Sequence, residues 1–139
     1  MAKTVQIKWL DRFQFVGVDS TKHSVVMSSQ DEENAVGMSP SQLLLVALGG
    51  CTSYDVVNIL TKKREPLTGL EVTVTGEQDA DPPWTYRKIH IHYALRGKGL
   101  KEKAVRDAIE LSEEKYCSVA ATVRGAAEVS VDYTIVEEG

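Results

Sequence analysis

Two cysteines and three histidines carry most of the nucleophilic and metal-ligating capacity of this 139-residue chain. Cys51 closes the apolar run Leu43-Leu44-Leu45-Val46-Ala47-Leu48-Gly49-Gly50, whereas Cys117 leaves a charged segment and stands directly before Ser118-Val119. Cys51 is therefore expected to be enclosed. Cys117 faces the free backbone N–H groups of a new helical turn, an environment that lowers a thiol pKa and makes Cys117 or its partner a candidate nucleophile. Such a pair can run thiol–disulfide chemistry, but free cysteine is also among the most buried residue types and often serves only as a small hydrophobe. No Cys-x-x-Cys is present, and the residues alone leave both readings open.

His90 and His92 lie two apart on an alternating segment, so both rings share a face, with the His-x-His spacing of a metal site. Only His23 remains to complete one, unless a carboxylate or a cysteine joins from elsewhere. Alternating histidines on a solvated strand need no metal, and the expectation is that no metal or other cofactor binds. Arg12, in Asp11-Arg12-Phe13, either snorkels to solvent or offers its guanidinium to an oxygen-rich substrate. The phosphate-binding glycine loops, HExxH and GxSxG are all missing, which leaves nucleotide, zincin and serine-hydrolase readings without support.

Sixteen Lys and Arg against twenty Asp and Glu give a net charge of -4, with 42% hydrophobic residues. That is an ordinary globular balance without the basic face of a nucleic-acid binder. The start, Met1-Ala2-Lys3-Thr4-Val5-Gln6-Ile7-Lys8, alternates and lacks the continuous apolar stretch of a secretory leader. Leu43–Leu48 is far shorter than the roughly 20 apolar residues of a membrane span. The expectation is a single cytoplasmic domain, 1–139, with neither nucleic acid nor membrane as partner.

The elements that must position the cysteines follow from periodicity. Alternation predicts strands at Thr4–Trp9, with Val5, Ile7 and Trp9 on a buried face, at Arg12–Val18, and at about His23–Ser28. The polar stretch Ser29–Met38 reads as a surface loop. Ser39-Pro40-Ser41-Gln42 then places an N-cap serine, a proline at N1 and a glutamine at N3 ahead of a helix running to about Arg64, where Pro66 stops it. The first half of that helix is apolar all round and needs cover on every side, from a sheet and from another helix or a second subunit. Gly49-Gly50 costs about 1 kcal/mol per glycine in a helix interior, which close approach of another backbone would offset. Leu70–Gly76 and Arg87–Leu95 alternate as antiparallel strands, Leu100–Tyr116 is an amphipathic helix, Ser118 caps a short turn to Arg124, and Glu128–Val136 is a last strand.

Taken together, Ser39-Pro40-Ser41-Gln42-Leu43-Leu44-Leu45-Val46-Ala47-Leu48-Gly49-Gly50-Cys51-Thr52 and Tyr116-Cys117-Ser118-Val119 resemble the osmotically inducible protein C and organic hydroperoxide resistance (OsmC/Ohr) family, in its OsmC-like branch. The resemblance covers nearly the whole chain in element order. It implies an α+β fold in which antiparallel sheets wrap long central helices in an intertwined homodimer. It also implies that the residue matching Cys51 attacks a hydroperoxide and that the one matching Cys117 resolves the sulfenic acid as a disulfide, which a dithiol reduces. Peroxidatic members carry a glutamate after the helix-starting proline that orients an arginine. Here Ser41 stands in that place, and Arg12 is the nearest substitute among the N-terminal strands. The leading expectation is a thiol-dependent redox protein that reduces organic hydroperoxides. The alternative is a non-catalytic protein holding a small apolar ligand in the dimer-interface cavity, and sulfurs too far apart to pair would favour it.

Overall fold

The computed structural model describes residues 1–138 as an α+β protein. The chain divides into two compact units, Met1–Leu44 and Leu45–Gly139. The first is an antiparallel meander of β1 (Gln6–Asp11), β2 (Gln14–Val18) and β3 (Ser24–Ser28), with Lys8 opposite Val16 and Val16 opposite Val26. Arg12 turns the first hairpin in the left-handed region (φ 47°) and Lys22 the second (φ 68°). Asp19 secures that second turn by accepting the N–H groups of His23 (2.8 Å) and Thr21 (3.0 Å), and the His23 N–H followed by the Thr21 hydroxyl holds its carboxyl below the usual range. The loop that follows is anchored at buried Asn34, whose side-chain N–H donates to Asp31 at 2.7 Å.

The alternation of β1 predicts one buried face, and here the structure differs. Val5, Ile7 and Trp9 are 61%, 59% and 69% exposed, and the polar residues between them are exposed too. A three-stranded meander alone cannot cover its own apolar side.

The second unit holds the core. The helix α1 (Pro40–Lys62) starts in the first unit, where Ser39 Oγ accepts the Gln42 N–H (3.3 Å) as the capping pattern predicts, and continues into the second. It ends with Arg64 in the left-handed region (φ 59°) and the Glu65 N–H on the Leu60 carbonyl, a Schellman closure without glycine. By length and composition α1 could cross a bilayer, yet Leu48, Val56 and Leu60 are wholly buried within the protein core.

A three-stranded sheet forms in the order β4 (Leu67–Gln78), β5 (Tyr86–Gly97), β6 (Glu128–Glu137). The pair β4–β5 is antiparallel, as predicted, while β6 joins β5 in parallel after a helical crossover. The buried side chains of β5, Ile89, Ile91, Tyr93 and Leu95, alternate with His90 and His92, so one face of the central strand is core and the other is not. Helix α2 (Glu102–Leu111) contributes Val105, Ala108 and Ile109 to the same core. The predicted continuation to Tyr116 is instead a π-helical turn, Ser112–Tyr116, and α3 (Ser118–Val123) follows.

The glycine pair in α1 resolves differently at its two members. A Cβ on Gly49 would lie 3.0 Å from Val74 Cγ2, so this glycine lets a side chain of β4, rather than another backbone, seat against the helix. A Cβ on Gly50 would meet nothing within 4 Å. The flank of α1 that carries Gly50 also exposes Val46, Tyr54 and Val57, leaving one side of the all-round apolar helix uncovered.

Candidate functional site

Cys51 and Asp55 are one helical turn apart on α1 and so share a face. Cys117 arrives from the junction between the π-helical turn and α3. The Cys51 sulfur, the Cys117 sulfur and a carboxylate oxygen of Asp55 all lie within 4.8 Å of one another. Both cysteines are free thiols; Cys51 and Asp55 are half-buried and Cys117 is 3% exposed.

Ser112 ties the cluster together. Its hydroxyl donates to Asp55 Oδ2 at 2.8 Å, and its carbonyl accepts the Cys117 N–H at 2.9 Å, the bond that closes the π-helical turn. One residue thus fixes the carboxylate on α1 and the start of the cysteine's own segment. Among the described residues Asp55 also lines a cleft of about 490 Å³ that includes Tyr54, Asn58, Lys62, Leu111 and Tyr116, which gives solvent a path to the carboxylate.

Cys117 itself is the N-cap of α3, its sulfur accepting the Ala120 N–H at 3.2 Å. Sequence reasoning assigns the cap to Ser118 and expects a lowered thiol pKa. The cap lies one residue earlier, and the pKa moves the other way: burial pushes the Cys117 thiol up to about 12, reinforced by the neighbouring Cys51 thiol and only partly offset by the Ala120 N–H. Two or three backbone dipoles at a short helix do not offset loss of solvent around a thiolate. Iodoacetamide at pH 8 is therefore expected to label Cys51 well before Cys117, and peptide mass spectrometry after a timed quench reads the order. Equal labelling would mean that Cys117 is open to solvent.

A second polar group centres on Glu113. Tyr93, fully buried on β5, donates its hydroxyl to Glu113 Oε1 at 3.0 Å, and Arg124 donates to Glu113 Oε2 and to the Glu113 main-chain carbonyl. Burial raises the Glu113 carboxyl pKa while Tyr93 and Arg124 act to lower it. Burial likewise raises the Tyr93 phenol above its ordinary range, opposed by its hydrogen bond with Thr52. Sequence reasoning missed Asp55, Ser112, Glu113 and Arg124 as partners. Asp55 had a usable signal, a carboxylate four residues after a cysteine in an apolar helix. The others had none.

Arg12 belongs to the first unit, where its guanidinium pairs with exposed Glu33 at 3.2 Å. His90 and His92 do share a face of β5, as predicted, and both bond to Asp132 Oδ1 on β6, at 2.9 and 2.7 Å. The hydrogen bonds from His92 and His90 hold the Asp132 carboxyl below its usual range. Register explains the arrangement, since His92 is directly opposite Asp132 in the parallel pair.

Comparison with known proteins places these features in context. The family profile described as OsmC-like protein matches residues 29–132. Protein YhfA of Escherichia coli K12 is 35% identical over 131 residues, covering 94% of this chain and 96% of its own. The crystal structure of a hypothetical protein from Aquifex aeolicus VF5 superposes with a TM-score of 0.89 at 29% identity, over 100% of this chain and 99% of the other. The organic hydroperoxide resistance protein OhrB of Bacillus subtilis shares the fold at a TM-score of 0.62 and 13% identity, over 96% and 98% of the two chains.

Proposed function

The chain belongs to the OsmC-like protein family, and on that premise we propose that it is a thiol-dependent redox protein that reduces organic hydroperoxides, Cys51 attacking and Cys117 resolving. The observation that carries this reading is the gathering of two free sulfurs within 4.8 Å, one half-buried and one nearly closed to solvent. The substrate class is taken from the organic hydroperoxide resistance protein OhrB, which shares the fold.

The chemistry balances without a cofactor. The Cys51 thiolate attacks the O–O bond; Cys51 becomes the sulfenic acid and the substrate leaves as the alkoxide, which takes a proton to give the alcohol. The Cys117 sulfur then displaces the sulfenic oxygen, water departs with the Cys117 proton, and the Cys51–Cys117 disulfide remains for a dithiol to reduce. Stopped oxidation by cumene hydroperoxide, read by mass spectrometry under alkylation, tests the proposal. A wild-type protein that stays in the dithiol form removes it. Sulfur proximity favours this reading over an apolar ligand cavity in which the cysteines merely line the wall.

The working unit in this proposal is a homodimer. Val5 with Ile7 and Trp9 of β1 in the first unit, and independently Val46, Tyr54 and Val57 of α1 in the second, are exposed apolar side chains of the kind that mark association surfaces. A second copy covers them, with Gly50 allowing close helix approach. Sedimentation of the wild type is expected to give a dimer, and Val46→Lys a monomer or a dimer at least tenfold weaker, as one unpaired buried charge readily costs the roughly 1.4 kcal/mol of that factor. A monomeric wild type would refute the assembly.

A further inference from the structure

We propose that the reduced protein binds a thiophilic divalent cation, represented by zinc, through the Cys51 sulfur, the Cys117 sulfur and an Asp55 carboxylate oxygen, with solvent as the fourth ligand. The donor atoms lie within 4.8 Å of one another. A tetrahedral zinc ion has sulfur at about 2.3 Å and carboxylate oxygen at about 2.0–2.2 Å, which separates neighbouring donors by roughly 3.5–3.8 Å. The 4.8 Å limit on the present separations lies about 1 Å beyond those of a bound ion.

The donor set selects the ion. Two thiolates and one carboxylate suit zinc and disfavour magnesium or calcium, which take oxygen ligands. The outer shell is in place as well. Ser112 donates to Asp55 Oδ2, fixing the rotamer of the carboxylate, and through its carbonyl holds the N–H of Cys117. Hydrogen bonds of this kind orient metal ligands and are worth about 10–100-fold in affinity. Of the three donors, Asp55 lines a cleft and is the one through which solvent reaches the cluster. The sequence expectation of no metal rested on the histidines, and the structure assembles a different set of donors.

Metal binding requires only the reduced thiols and does not rest on the peroxide reading. Disulfide formation removes both thiolate donors, so occupancy and oxidation exclude each other.

The test uses full-length protein, reduced and stripped of metal, titrated with zinc against a chromophoric chelator and separately with cobalt(II). Expected are one equivalent per chain, near-ultraviolet sulfur-to-cobalt charge-transfer bands, and visible bands of tetrahedral geometry. Cys51→Ser and Cys117→Ser should each lose part of the charge-transfer intensity, while Asp55→Asn and Ser112→Ala should weaken binding by about tenfold or more. Wild-type protein alkylated at Cys51 serves where a variant fails to fold, and it should lose binding. Absence of stoichiometric binding to reduced wild type overturns the proposal, as does affinity unchanged by Asp55→Asn or by alkylation. A protein that binds zinc yet resists hydroperoxide loses the redox reading alone. One that forms the disulfide yet ignores zinc loses this inference alone.

Discussion

Brief exposure to an organic hydroperoxide is expected to convert the reduced wild type into an intramolecular Cys51–Cys117 disulfide, and Cys51→Ser is expected to slow peroxide consumption by roughly 100-fold or more. The direction follows from the asymmetry of the pair. Cys51 is the more open sulfur, while Cys117 is 3% exposed with its thiol pushed up to about 12, so at neutral pH Cys117 is a closed, protonated thiol. A resolving thiol can work from that state, because the sulfenic oxygen carries its proton away as water. Cys117→Ser should therefore still be oxidised, halting at a Cys51 sulfenic acid that a dione probe traps. Oxidation of Cys51→Ser at the wild-type rate would reverse the roles. The raised thiol pKa has a companion effect on stability. Its contribution is fully present below the unfolded thiol value near 9 and is lost as pH rises through about 12, so Cys117→Ala should flatten part of the alkaline fall in Tm over that window.

What the sequence showed of this arrangement depended on whether the signal was local. The capping residues Ser39, Pro40 and Gln42 locate the start of α1 to the residue because a cap is a contact within one turn. The alternation of Ile89 to Leu95 marks the buried face of β5 for a similarly local reason. The parallel direction of β6 is not legible, since it depends on the path of the chain between Lys98 and Ala127. The approach of Cys117 to Cys51 is likewise a tertiary fact; from the sequence it enters only through family resemblance. The π-helical turn shows why the local expectation for Cys117 erred. It ends the helix five residues early and makes Cys117, not Ser118, the cap, in a place where burial outweighs the backbone N–H. The exposed apolar face of β1 teaches the converse, that a periodic pattern identifies a face needing cover without naming what provides it.

Replacing Arg124 with methionine is expected to destabilise the protein strongly. Glu113 is 6% exposed and shares its carboxylate between Tyr93 and Arg124, so the variant leaves a buried charge with one neutral donor. Breaking a buried pair from one side costs about 3–5 kcal/mol, and with the Arg124 side chain 36% exposed the lower end, about 3 kcal/mol, applies. For a chain of this size that is a fall in Tm of roughly 10 °C, read by calorimetry. Glu113 can escape the penalty by taking a proton. Burial already raises its pKa, and loss of the arginine raises it further, so its stabilising contribution is present below the unfolded value of 4.5 and disappears as pH rises through the folded one. The deficit of Arg124→Met should accordingly be small at acid pH and widen toward neutrality. Adding Glu113→Gln should recover part of it, because the amide oxygen still accepts from Tyr93 and no charge remains to be paired. A deficit independent of pH, or no recovery in the double variant, would show that Arg124 acts by packing alone. Arg124 also holds the Glu113 carbonyl within the π-helical turn that leads into Cys117. Loosening that turn gives the second sulfur a wider range of positions, so in Arg124→Met the sulfenic acid at Cys51 should persist longer before the disulfide closes.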